Sequence, residues 1–240
     1  MTAFFHTIIS VPMYNGLIFL MSTLPFFDAG IIIIIFTIIV KIIMLPLSLK
    51  ASRAQLQMKS HEKNLNEIKE KYKNNKEEYG KKQLEYYKEK GINPFSSFFI
   101  LIIQLPILIG LYRVFIKSGL PAINAAMLYS FVSSPVSINM VFLGLINISE
   151  KSLTLAIIAG ITTYFQISLS TGQTGVTSPG QGDIAKAMNV QMKYFFPILM
   201  TFISYTISSA VALYLITSNI FAIGQEMYIK KKYHKSVFVE

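Results

Sequence analysis

Lys41 is the residue whose type and position most directly suggest chemistry. It lies thirteenth in residues 29–49, AGIIIIIFTIIVKIIMLPLSL, and is the one charge in that 21-residue run. A lysine at the centre of a membrane-crossing helix costs roughly 2.5–3.5 kcal/mol on insertion scales. Such residues face a bundle interior or a wet cavity, where a fixed positive charge can receive a negative one from elsewhere. The bland alternative is snorkelling to the cytoplasmic interface. That interface is about 8 residues, or ~12 Å, further on, beyond the full reach of a lysine stem.

Other polar residues are spaced to join it. Thr37, Lys41 and Ser48 share a face at i, i+4 and i+11. Ser97 and Gln104 are one heptad apart. Thr163, Gln166 and Ser170 follow at 0, 3 and 7, and Thr217, Ser218 and Asn219 are consecutive. Taken singly, each is explained by a hydrogen bond between helices. Taken together they admit one polar lining contributed by several spans. No Asp or Glu at mid-depth offers Lys41 a permanent counter-ion, and Glu226 stands near the end of the last span.

Enzyme signatures are lacking in the sequence. It has no phosphate loop, no paired intramembrane carboxylates, no HExxH and no supported Ser-His-Asp set. With no cysteine, thiol catalysis and cysteine-ligated metals are excluded, and His6, His61 and His234 lie far apart. The reading is therefore not an enzyme and without a cofactor.

The elements that must hold these residues follow from composition. The 240 residues carry 22 Lys+Arg against 12 Asp+Glu, a net charge of +10. Apolar types make up 52% and charged types 14%, where a soluble domain carries about 25% charged residues. The mean hydropathy is +0.50. This balance fits an integral membrane protein whose charges sit in its wet parts. Residues 29–49, 94–116 and 153–169 each read as a span.

Residues 50–93 differ. Between 50 and 90 there are 12 Lys/Arg and 7 Glu, with no proline. The spacing predicts a charged hairpin of two helices, about 52–73 and 76–90, with Leu65, Ile68, Tyr72, Leu84 and Tyr87 as a thin apolar seam. A solvated helix pair with no partner is the plain alternative.

Orientation comes from the loops. Residues 1–27 have no Lys or Arg, whereas the hairpin and the tail Lys230, Lys231, Lys232 are basic. The positive-inside rule puts the N-terminus outside and both basic segments in the cytoplasm. That parity demands an odd number of spans. Residues 194–224 form a mainly apolar stretch of 31 residues, about 46 Å of helix and too long for one upright crossing. They divide into spans 191–206 and 209–228 with a bend in the polar set 204–209. Residues 1–28 hold an interfacial helix at about 13–24 on the outer leaflet. The loop 117–152 is then extracytoplasmic, the loop 170–190 is cytoplasmic with a Gly/Ser/Thr/Gln-rich part at 172–183 expected to be mobile, and 229–240 is a basic cytoplasmic tail. The expected fold is all-α: a polytopic membrane protein of five transmembrane helices with a cytoplasmic helical hairpin.

At this point the sequence resembles a family. TIIVKIIMLPLSLKASRAQ (37–55) is similar to the first core span and exit of the YidC membrane-protein insertases, which have mitochondrial and chloroplast relatives. GINPFSSFFILIIQLPILIGLYRVF (91–115) resembles the second span, TTYFQ (162–166) the third and ALYLITSNIFAIGQ (212–225) the fifth. The resemblance runs in order over about residues 13–230. With little before residue 29, it is to the short bacterial form; the lack of a lipobox cysteine departs from many Gram-positive members.

The resemblance implies a positively charged hydrophilic groove open to cytoplasm and lipid. Lys41 stands where bacterial relatives have an arginine, keeping the charge but losing the planar fork. Gln104 and Gln166 match polar groove positions, beside Thr37, Thr163, Thr217, Ser218 and Asn219. Lys59, Lys63, Lys81 and Lys82 on the hairpin would recruit substrates, and Lys230, Lys231 and Lys232 would approach the ribosome. The implied function is insertion of nascent membrane proteins into the bacterial plasma membrane. Its partners would be nascent chains, the ribosome and lipids, with the Sec translocon left open and no nucleic acid beyond the ribosome's. Two rivals remain at this stage. A small anion transporter or channel would use Lys41 as an anion site, and a structural assembly factor of a translocon would use the hairpin alone.

Overall fold

The computed structural model describes residues 6–91, 106–117, 120, 122–170 and 191–237. Its elements are almost all helices: α1 (Val11–Thr23), α2 (Ala29–Ser60), α3 (Glu62–Lys71), α4 (Lys76–Glu89), α5 (Pro106–Phe115), α6 (Leu153–Ser170), α7 (Phe196–Ile207) and α8 (Ser209–Val237). Two short strands, β1 (Val141–Phe142) and β2 (Ile146–Asn147), pair antiparallel. The fold is that of an all-α polytopic membrane protein. Three helical segments are long and apolar enough to cross a bilayer, Ala29–Ala54, Leu153–Ser170 and Ser209–Lys232. α5 is a shorter apolar helix, and residues 94–105 of the expected second span lie outside the described residues. α7, at 12 residues, is about 18 Å long, less than a hydrocarbon core of roughly 30 Å.

The chain divides into two compact units. The first comprises 1–43, 103–163 and 197–221. Its centre is the start of α8, where every residue from Ala210 to Leu215 is buried, as befits a helix that is apolar all round. α6 turns Leu155, Ala156, Ala159 and Thr163 inward and leaves Ile157, Ile158, Ile161 and Leu153 exposed. α2 buries Ile32, Ile33, Phe36 and Thr37 and exposes Ile38, Ile39, Ile42 and Ile43. In a chain that crosses a membrane these isoleucine faces are the ones suited to lipid. At Gly160 a Cβ would overlap the Thr201 side chain, so glycine lets α6 and α7 approach closely.

α1 falls in the segment expected to lie at the interface, and one of its faces is packed, with Tyr14, Leu17 and Ile18 buried. Asn15 is satisfied on all sides: Nδ2 donates to the Val11 and Met127 carbonyls at 2.9 and 2.8 Å, and Oδ1 accepts from Tyr129 N at 2.7 Å. The Tyr14 hydroxyl accepts from Asn124 N at 2.8 Å. These bonds tie residues 124–129 to α1.

Asp28 organises the start of α2. Its Oδ1 accepts from Ile31 N at 2.9 Å, an N-cap, while Oδ2 accepts from Leu143 N at 3.1 Å. Leu143 (φ 51°) and Gly144 (φ 72°) form the turn between β1 and β2, closed by Leu145 N donating to Phe142 O at 2.9 Å. Both central φ values are positive, the pattern that favours Asn-Gly. Leucine in the left-handed region costs roughly 1–2 kcal/mol. The start of α8 is served by the same loop: Ser209 N and Oγ donate to Glu150 O at 2.8 and 2.6 Å, and Ala210 N to Ile148 O at 3.0 Å. The orphan donors of a helix N-terminus are thus met by loop carbonyls.

The second unit comprises 44–102, 164–196 and 222–240. α2 runs unbroken to Ser60, past the membrane exit expected at residue 49, because residues 50–60 contain no glycine or proline to stop it. The hairpin proper is α3 and α4, shorter than expected. Leu65 and Tyr87 form its small core, with Tyr86 packed against them. Leu84 does not belong to the seam; it is 50% exposed. α4 instead turns Tyr79, Gln83 and Tyr87 inward at i, i+4 and i+8, which puts Leu84 about 100° round the helix from Gln83. Gln83 Nε2 donates to the Tyr87 hydroxyl at 3.1 Å, so a polar residue serves where a leucine was expected. Asn75 caps α4 by accepting from Glu78 N at 3.1 Å.

Candidate functional site

Lys41 is half-buried on α2, between exposed isoleucines 38, 39, 42 and 43. It is therefore turned away from the most exposed stripe of its helix. Thr37, one turn earlier, is buried, and its Oγ1 donates to Ile33 O at 2.7 Å. That bond is internal to the helix, so the threonine needs no partner to be satisfied.

Two of the expected groove residues meet directly. Asn219 Nδ2 donates to Thr163 Oγ1 at 2.8 Å and to Thr162 Oγ1 at 3.2 Å. Thr163 Oγ1 in turn donates to Ala159 O at 2.7 Å. Thr163, Ser218 and Asn219 are all buried, and the bond joins α6 to α8. In this arrangement Asn219 acts as a helix–helix tie. Thr217 is half-buried and its Oγ1 donates to Leu213 O at 2.8 Å. Gln104 lies outside the described residues. Gln166, in the second unit, is half-buried.

The second unit holds polar contacts that sequence reasoning missed. Ser48 Oγ donates to Gln225 Oε1 at 2.9 Å, linking α2 to α8. The spacing puts Ser48 on the Lys41 face and Gln225 closes the motif 212–225, but pairing them requires the rotation of both helices. Glu226 is buried and ion-paired with Lys230 at 3.8 Å. Lys230 Nζ also donates to the Leu169 carbonyl. Lys230 thus differs from Lys231 and Lys232, which are exposed. It is a tie between α8 and α6.

On the hairpin, Lys63, Lys81 and Lys82 are exposed. Lys81 pairs with Glu77 at 2.9 Å and Lys82 with Glu85 at 2.8 Å. The Glu85 hydrogen bond and charge hold the Lys82 ammonium above the ordinary lysine range. Lys59 carries no described side chain. His61 precedes α3, its Nδ1 2.8 Å from the Tyr86 hydroxyl. Burial, with Lys90 adding repulsion, pushes its imidazole below the ordinary 6.5. Among the described residues no three His, Asp or Glu side chains gather as a metal site.

An apolar bundle with a lysine inside a span and a separate charged hairpin defines a class of polytopic membrane protein. The family model of the 60Kd inner membrane protein matches residues 19–236. The chain is 34% identical over 203 residues to a membrane protein insertase YidC of Fusobacterium nucleatum, covering 85% of this chain and 86% of that protein. It is 34% identical over 209 residues to one of Clostridium tetani, covering 87% and 84%. Against the YidC of Francisella tularensis subsp. novicida the identity is 28% over 204 residues, 85% of this chain but 33% of that longer protein. The chain belongs to the YidC-type 60Kd inner membrane protein family.

Proposed function

We propose that this protein inserts nascent membrane proteins into a bacterial plasma membrane. One observation carries the reading. In a chain whose relatives are named insertases, Lys41 sits half-buried in a span while its neighbours Ile38, Ile39, Ile42 and Ile43 face outward. Lys41, with Thr37, Gln104, Thr163, Gln166, Thr217, Ser218 and Asn219, is assigned to the polar groove. A nascent segment enters from the cytoplasm, and its acidic extracellular part is held briefly by the Lys41 charge. The apolar part then partitions into lipid, worth ~25 cal/mol per Å² of apolar surface. Partitioning itself drives release, so neither a bond-breaking step nor a nucleotide is required.

In this reading the N-terminus is outside and the C-terminus cytoplasmic, with five crossings. The exposed Lys63, Lys81 and Lys82 recruit substrates, and Lys231 and Lys232 approach the ribosome. Lys230 is held back by Glu226 and Leu169, which supports assigning the ribosome contact to Lys231 and Lys232. The test is photocrosslinking to a ribosome-stalled nascent membrane protein. A crosslinker at Val40 or Met44, either side of Lys41, should capture the nascent chain, and one at Phe202, 65% exposed on α7, should not. Equal capture at Phe202 would remove the groove from the mechanism.

A further inference from the structure

Residues 118–149 contain no Asp, Glu, Lys or Arg, although residues 122–149 form a loop that meets the helix ends of the first unit. The β1–β2 hairpin within it is fastened at the level where α2 and α8 begin. Ala29 N donates to Asn139 O at 2.8 Å, Leu143 N to Asp28 Oδ2 at 3.1 Å, and Ala210 N to Ile148 O at 3.0 Å. Phe142 lies on Gly30, where a Cβ would clash with its ring. The tip is therefore held beside the first residues of two membrane-crossing segments.

At that level the tip presents apolar side chains to the outside. Leu145 is 82% exposed, Leu143 61% and Phe26, two residues before Asp28, 73%. Val136, in the same uncharged loop, is fully exposed. Such residues at a wet surface would be a liability. Leu143 also occupies a left-handed turn position (φ 51°) that Asn or Gly fills without strain. An apolar side chain is kept there against the local steric preference.

We propose that the β1–β2 tip, with Leu143, Leu145 and Phe26, is a membrane anchor that dips into the leaflet at the N-terminal ends of α2 and α8. The occupant of this surface is lipid. Backbone donors of the tip are already engaged with Asp28 and Phe142 O, so the leucines can enter the headgroup–acyl boundary without stranding them. The loop itself carries no charged side chain and the Asp28 carboxylate beside it is taken up by the Ile31 and Leu143 backbone donors, so the anchor should not depend on headgroup charge. This inference concerns a surface distinct from the proposed groove and holds whatever the groove carries.

The chain has no tryptophan, so a single Trp reports on the tip alone. Leu143→Trp and Leu145→Trp would be made in the full-length protein, reconstituted at low density into phosphatidylcholine vesicles. Leu84→Trp on the charged hairpin is the aqueous control. Both tip variants should emit to the blue of the control. Phosphatidylcholine brominated high on its acyl chains should quench them at least about twofold more than the control, with no change when phosphatidylglycerol is added. Leu145 lies outside the strained turn position, so its variant serves if Leu143→Trp misfolds. Water-like emission quenched by acrylamide would overturn the proposal. So would blue emission without bromolipid quenching, which would mean a protein partner covers the tip.

Discussion

Asn219 on α8 donates to Thr163 on α6 at 2.8 Å, and the Thr163 hydroxyl donates in turn to Ala159 O at 2.7 Å. The two side chains thus satisfy one another across a helix pair and out of water. A double-mutant cycle of Thr163→Val and Asn219→Leu should therefore show a coupling of about 0.6 kcal/mol, up to ~1.7, the range found for such bonds inside membranes. Thermal unfolding in detergent gives the four stabilities. Additive effects would mean that the Asn219–Thr163 bond adds nothing measurable to stability.

The charge of Lys41 is open to a sharper test. Lys41→Arg should preserve insertion. Lys41→Ala should slow substrates with acidic extracellular segments, and Lys41→Glu should slow them more, while neutral substrates change little. A charge pair 4 Å apart is worth about 1 kcal/mol in water and about 4 at an effective dielectric of 20, so a several-fold rate effect is expected in a half-wet groove. Paired acidic and neutral substrates in an insertase-depleted strain, with protein level measured, decide it. If Lys41→Ala matches wild type on the acidic substrate, attraction by charge is not the mechanism.

The hairpin should respond to pH through His61. Its folded value lies below 6.5, so below that pH the unfolded hairpin binds more protons than the folded one. Stability is then fully present above 6.5, falls as pH drops through 6.5 toward the folded value, and levels off below it. The neutral ring also allows Nδ1 to accept the Tyr86 proton while that oxygen accepts from Asn64 Nδ2 at 2.9 Å. Amide exchange in α3 and α4, corrected for intrinsic rates, should quicken from pH 7.5 to 5.5. His61→Gln should flatten the profile, and an unchanged slope would assign it elsewhere.

Orientation can be read with single cysteines, since the chain has none. An impermeant maleimide should label Ser134→Cys on intact spheroplasts, and Asn74→Cys and Lys232→Cys only after the membrane is opened. Labelling of Lys232→Cys from outside would leave α7 and α8 as one crossing in place of two.

Much of this architecture is legible because apolar length and charge runs are properties of the chain itself. The isoleucine run of α2 and the Lys/Glu pattern of α3 and α4 announce helix type without any tertiary contact. Rotation is another matter. Nothing in the spacing distinguishes Leu84 from Gln83 as the inward residue of α4, because tyrosines 79 and 87 bring their own polar tips and welcome an amide between them. The β1–β2 turn was illegible for a related reason. Leu143-Gly144 lacks the Asn-Gly signature, and its geometry is stabilised by Asp28, 115 positions away. In the candidate site, Lys41 is readable as an anomaly of composition. The bonds Ser48–Gln225 and Asn219–Thr163 depend on how helices distant in sequence are turned, and so became visible only in three dimensions.

The carbonyl of Glu150 receives both the backbone and the hydroxyl proton of Ser209, a residue made 59 positions later. At ~5–20 residues per second, synthesis reaches Ser209 about 3–12 s after Glu150 has been joined to the chain. Until then the loop ahead of α6 lacks the partner that closes it. The clasp between Ala29 and Asn139 likewise waits for most of the chain. The Glu150 contacts of the finished fold can therefore close only late in synthesis, when the start of α8 has been made. A chain shortened before α8 would lack the donors that engage the Glu150 and Ile148 carbonyls, so the loop ahead of α6 would keep those acceptors open.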